Sequence, residues 1–182
     1  GMTDIVISLG RGEQVIRLEH NGGDPADSTS YDRSVVVAQT DTATVIRWYP
    51  LRIADDLDGD GTKEIVMTNL YATDEGQPII VIAEPVGGDE PSAGSYEPGD
   101  DFNLAWSLDP RDSPELFPRG PAFGARSVLS GMDFDADGNK EFLFTTDETL
   151  APQGPDPGFL EVFLYEASGD DSYDYVWHYT HP

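Results

Sequence analysis

The apolar residues of this chain fall in short runs. Each run is rich in Val, Ile, Phe, Tyr or Trp, and clusters of Gly, Asp and Pro separate one run from the next. Branched and aromatic side chains suit a pleated, half-buried surface, so runs of this kind between turn-forming clusters predict short β-strands. No segment of helical length shows a 3.6-residue period. The predicted fold class is all-β.

The runs recur in a fixed order. Glu64–Asn69 is followed by Pro78–Glu84, the turn Gly88-Asp89, and Phe102–Leu108 carrying Trp106. Glu141–Thr146 is followed by Phe159–Glu166, the turn Gly169-Asp170, and Tyr173–Tyr179 carrying Trp177. The N-terminus fits the same scheme: Thr3–Ser8 aligns with Lys63–Thr68, and Glu13–Glu19 precedes Gly23-Asp24. Between Asp32 and Ala54 two runs, Ser34–Gln39 and Thr44–Tyr49, read as strands without revealing which repeat owns each. The predicted units are about 1–45, 46–110 and 111–182, the first one truncated. Pro85–Asp101 and Asp109–Pro121 read as loops between strands. Leu150–Gly158 and Glu90–Asp101 are the segments expected to move most.

Within the second and third units, after a first strand and before the three others, stands the same nine-residue pattern. Asp56-Leu57-Asp58-Gly59-Asp60-Gly61-Thr62-Lys63-Glu64 returns, 77 residues on, as Asp133-Phe134-Asp135-Ala136-Asp137-Gly138-Asn139-Lys140-Glu141. Alternate side chains on a tight loop converge on one point. Ca²⁺ takes roughly six to eight oxygens at about 2.3–2.6 Å. Asp56, Asp58 and Asp60 supply three, the carbonyl of Thr62 a fourth, and Glu64 closes the set. Asp133, Asp135, Asp137, Asn139 and Glu141 do the same. Gly61 and Gly138 permit the sharp turn. An EF-hand would need a glutamate at position 12 and flanking helices. That position holds Met67 and Phe144, each inside a strand-like run. The plainer alternative is a pair of acidic surface turns.

The pattern D-x-D-x-D-G-x-x-E with an apolar strand behind it resembles the FG-GAP and VCBS repeats, which include calcium-binding blades of integrin α-subunit propellers. The second copy matches further, with Phe123-Gly124 and Ser127-Val128 upstream. The first copy has Trp48-Tyr49-Pro50 instead, and neither carries Gly-Ala-Pro after the strand. These departures place the chain nearer the VCBS-like branch. The resemblance implies four-stranded antiparallel blades, here about two and three-quarters of them, in a partial β-propeller. It also implies an extracellular, cell-envelope or periplasmic setting. On this reading the chain starts just after a calcium loop. The remaining blades then come from a longer parent protein or from self-association.

Composition adds charge to this picture. The 182 residues carry 35 Asp and Glu against 10 Lys and Arg, a net charge of −25. Such a surface repels nucleic acid and anionic membranes and suits divalent cations. Two Ca²⁺ ions would neutralise only a small part of it. Cysteine is absent, which excludes disulfides and thiolate sites. No apolar run reaches the length of a membrane span.

No catalytic constellation stands out. Carboxylate pairs are too common in so acidic a chain to mark an acid and a base. His178 and His181 have metal-like spacing but no third ligand. Trp48, Trp106, Trp177, Tyr49, Tyr175 and Tyr179 are expected to fill space between sheets, the alternative being sugar-stacking rings. Arg119–Arg126 forms a small basic island. The expected function is a non-enzymatic, calcium-stabilised module that binds a protein or carbohydrate. The alternatives are the propeller of a secreted hydrolase or polysaccharide lyase, and a lectin.

Overall fold

The computed structural model describes residues 5–9, 14–39, 47–70, 77–85, 96–99, 101–117, 124–147 and 160–181. Twelve strands run in chain order: β1 Ile5–Leu9, β2 Gln14–His20, β3 Tyr31–Gln39, β4 Trp48–Ile53, β5 Ile65–Asn69, β6 Ile80–Pro85, β7 Tyr96–Pro98, β8 Phe102–Leu108, β9 Gly124–Met132, β10 Glu141–Asp147, β11 Leu160–Gly169 and β12 Ser172–His181. The described residues contain no α-helix, only single 3-10 turns at Ser28–Ser30 and Pro110–Asp112. None is therefore long and apolar enough to cross a membrane.

The strands form three antiparallel sheets of four. Sheet 1 has the order β1-β2-β3-β7, sheet 2 β4-β5-β6-β8, and sheet 3 β9-β10-β11-β12. Sheets 2 and 3 follow the predicted order of strand, Asp-rich loop and three further strands. The two runs left unassigned in the sequence now separate, with β3 in sheet 1 and β4 in sheet 2. One expectation is corrected. Pro85–Asp101 is not wholly loop, because β7 lies within it and pairs with β3 through Val37–Pro98, Ala38–Glu97 and Gln39–Tyr96. That pairing takes a strand from the 46–110 unit into the sheet of the 1–45 unit. The Leu150–Gly158 segment lies outside the described residues.

Sheet 2 is covered on both faces. Ile65, Met67, Val81 and Ala83 join a core with Val15, Val36 and Val37 of sheet 1. Their alternates Val66, Ile80 and Ile82 join a second core with Val128, Phe142, Phe144, Phe163 and Tyr165 of sheet 3. A strand with two buried faces has no polar alternation. The runs Ile65-Val66-Met67 and Ile79–Ala83 are continuous for that reason. A register shift between Ile82 and Glu84 turns β8 over. Phe102 then faces sheet 1, while Trp106 and Leu108 face sheet 3.

The core between sheets 2 and 3 is aromatic. Trp106 meets Phe142, Tyr165 and Tyr173 at ring-centroid distances of 5.7, 5.5 and 5.5 Å. Phe144 stacks on Phe163 at 5.2 Å. Such pairs add to plain burial by about 0.5–1.5 kcal/mol each. Trp48 is fully buried in the other core. The expectation of aromatic packing therefore holds for Trp48 and Trp106 and fails for three others. Tyr175, Trp177 and Tyr179 are 37, 42 and 55% exposed on β12. β12 is an edge strand with a register shift beside Tyr165, and a bulge re-aims side chains and leaves them outside.

Close approach between sheets 2 and 3 fixes one position sharply. A Cβ on Gly124 would stand 1.8 Å from the backbone oxygen of Leu70. Gly124→Ala must push the sheets apart, and overpacking of this kind costs about 1–3 kcal/mol or more. Denaturant unfolding is expected to show that loss. Unchanged stability would contradict the close contact.

Candidate metal centre

Each Asp-rich loop connects two hydrogen-bonded neighbours, β4 to β5 in sheet 2 and β9 to β10 in sheet 3. In the first loop Asp56, Asp58, Asp60 and Glu64 each bring one carboxylate oxygen to a common point, all within 4.8 Å of one another. Asp133, Asp135, Asp137 and Glu141 do so in the second. Position 12 of an EF-hand falls on Met67 and Phe144, both buried inside strands.

The same local bonds fold both loops. Gly61 N–H donates to Asp56 Oδ1 at 3.1 Å, and Gly138 N–H to Asp133 Oδ2 at 3.2 Å. Asp60 N–H donates to Asp58 Oδ1 at 3.2 Å, and Asp137 N–H to Asp135 Oδ1 at 3.1 Å. Thr62 and Asn139 steer the third aspartate. Their N–H groups donate to Asp60 Oδ1 at 2.6 Å and Asp137 Oδ1 at 2.8 Å. The glycines after the third aspartate have φ of 99° and 105°, a conformation in which a side chain would be strained. At position four the first loop has Gly59 at φ 88°, whereas the second holds Ala136 at φ 65°.

The glutamates differ from the aspartates in burial. Glu64 is 0% and Glu141 1% exposed, because Glu64 stands directly before β5 and Glu141 begins β10, and both strands enter the core. Each accepts one loop N–H through Oε2, from Leu57 in the first loop and from Phe134 at 2.7 Å in the second. Oε1 of both is buried without a hydrogen-bond partner. Burial, with the charges of Asp58 and Asp60 behind it, pushes Glu64 up to about 7. Burial also raises Glu141, helped by Asp135, Asp133 and Glu166.

Two acids next to these sites escaped the sequence reading. Glu166 is the cross-strand partner of Glu141. Glu84 follows Ala83, the partner of Ile65, and so stands beside Glu64. Glu84 is 4% exposed, and burial followed by the charges of Asp171, Asp60 and Asp58 pushes it up to about 7. The signal was present, since the second strand of each repeat ends in glutamate. The two loops face each other across a cleft of about 640 Å³ lined by Asp58, Gly59, Gly138, Asn139 and Glu166. Lys140 of the second loop spans it, its Nζ donating to the carbonyls of Asp55 and, at 2.6 Å, Asp56.

The other candidates separate from these sites. His178 Nδ1 is 2.8 Å from the Tyr175 hydroxyl, and its ring stacks on Phe163 at 5.4 Å. No acid cluster among the described residues includes it. Arg126 is exposed, while Arg119 and Phe123 lie outside the described residues. Comparison of the chain with protein-family models, with curated proteins and with solved structures found no match.

A carboxyl raised in the folded chain holds its proton more tightly there than in the unfolded chain. The stability linked to Glu64 and Glu84 is thus fully present below about 4.5, their ordinary value, and is lost as pH rises through about 7. In chelator, the thermal midpoint is expected to fall across that window, and Glu84→Gln to flatten the fall. A midpoint that rises from 4.5 to 7 in the wild type would contradict the assignment.

Proposed function

We propose that the chain is a non-enzymatic binding or scaffold module stabilised by two Ca²⁺ ions, one in each Asp-rich loop. One observation carries the reading. Three aspartates and a buried glutamate converge in both loops, and in both the glutamate keeps Oε1 buried without a hydrogen-bond partner. A buried carboxylate oxygen without a partner is costly, and a cation relieves that cost and the repulsion together. The donor set is all oxygen and supported on flexible side chains, which suits Ca²⁺. Mg²⁺ demands a tighter octahedral shell and retains waters.

The three stacked sheets support the view of them as blades of a propeller-type array with FG-GAP or VCBS-like repeats, outside the cell or in its envelope. The outward face of sheet 3 supports a further neighbour. Leu129, Leu143, Leu164 and Trp177 occupy one row across it, linked by strand register. Another sheet covers this row, from further repeats of a longer chain or from a second copy. Sedimentation of the chain at tens of micromolar is expected to show self-association. A clean monomer would leave only the first source. A protein or carbohydrate remains the ligand class.

An ion that binds only the folded chain stabilises it by about 2.7 kcal/mol when present at about 100-fold above Kd. In a domain of this size that raises the midpoint by roughly 5–10 °C per site. Wild type is expected to melt higher in millimolar calcium than in chelator. Asp58→Ala and Asp135→Ala should each remove part of the gain, and the double variant nearly all of it. Equal midpoints in calcium and chelator for the wild type would reduce both loops to acidic turns. Equal stabilisation by magnesium would reject the choice of ion.

A further inference from the structure

A third group of acids converges away from the second loop. Asp58, Asp170 and Asp171 each offer a carboxylate oxygen within 4.8 Å of the others. They belong to different sheets. Asp58 comes from the loop before β5 of sheet 2, and Asp170 and Asp171 form the turn between β11 and β12 of sheet 3. Asp171 N–H donates to Asp58 Oδ2 at 2.9 Å, which holds the turn against the loop.

Acids crowded on an acidic surface do not make a site. Two buried groups behind these do point to a ligand. Glu84 is 4% exposed, and its Oε2 has no hydrogen-bond partner. Among charges, Asp171 acts on it most strongly, then Asp60 and Asp58. Tyr173 is 5% exposed, its hydroxyl is likewise without a partner, and the charges around it are Asp58, Glu64, Asp171 and Glu84. Ala83 faces sheet 1, so Glu84, the next residue of β6, faces sheet 3, and Tyr173 follows the Asp170-Asp171 turn into the core between sheets 2 and 3; both unsatisfied oxygens thus lie at the seam the cluster spans. Buried polar atoms of this kind are regularly satisfied by an ion or ordered water.

We propose that Asp58, Asp170 and Asp171 hold a third hard divalent cation that joins sheet 2 to sheet 3, with Glu84 backing it from the buried side. The proposal rests on the reading of the first loop as a cation site only through Asp58, which serves both ions. Three carboxylates leave about three or more positions to water, so this site binds more weakly than the loops and discriminates less against Mg²⁺. Asp170 is exposed, so the ion exchanges freely with solvent.

The test is calorimetric titration of the metal-stripped chain with calcium chloride and, separately, magnesium chloride. Wild type is expected to bind three Ca²⁺, one more weakly than the other two. The pair Asp170→Asn with Asp171→Asn should bind two, with the second loop's affinity unchanged and the first loop's shifted through the shared Asp58. Asp170→Asn alone, at an exposed position with little effect on folding, should weaken the third site about tenfold. Two calcium ions bound by wild type and variants alike would overturn the third site and leave the loops standing. No binding by the wild type would overturn both.

Discussion

Glu64 and Glu141 each stand where an acidic loop runs into an apolar strand, and everything at that end of the sheets depends on how their charge is satisfied. One oxygen of each receives a loop N–H, which fixes the loop to the strand. The other faces inward without a partner. A carboxylate in that position either takes up a proton or requires a cation. The first choice explains why the site favours the protonated form when it holds no ion. The second turns a surface hairpin into a binding loop whose ligands are gathered by their own backbone bonds.

The sheets provide the rigid footing for that choice. Sheet 2 lies between the other two and presents Trp48, Ile65, Met67, Val81 and Phe102 to sheet 1, and Val66, Ile80, Ile82 and Trp106 to the aromatic face of sheet 3. The first Asp-rich loop leaves from this buried middle layer, and the second from its neighbour. Lys140 connects them by binding carbonyls at the entry of the first loop.

Much of this was legible in the chain itself. Apolar runs such as Pro78–Glu84 marked strands, though not that both faces would be buried, and the paired nine-residue patterns marked the loops residue by residue. What was hidden depended on pairing across distance. Nothing local in Tyr96-Glu97-Pro98 says that it will lie against β3, because the pairing is made by the partner strand. Trp177 resembles Trp106 in its place along the repeat, and both lie on edge strands with a register shift, yet Trp106 packs between sheets 2 and 3 while Trp177 stands exposed on the outer sheet. Glu84 was visible as the last residue of a predicted strand, but its surroundings were not. Its role comes from the turn of another sheet, and its own neighbours in sequence are apolar.

The short strand β7 has a consequence for how such a chain could have been assembled. A repeat that lends a strand to the one before it is no longer an interchangeable part. Duplication or loss along the sequence boundary would strip sheet 1 of its outer strand or leave a surplus one behind. Sheets 1 and 2 are thus spliced like laced fingers and pass on only together, whereas sheet 3 is built from four consecutive strands of its own.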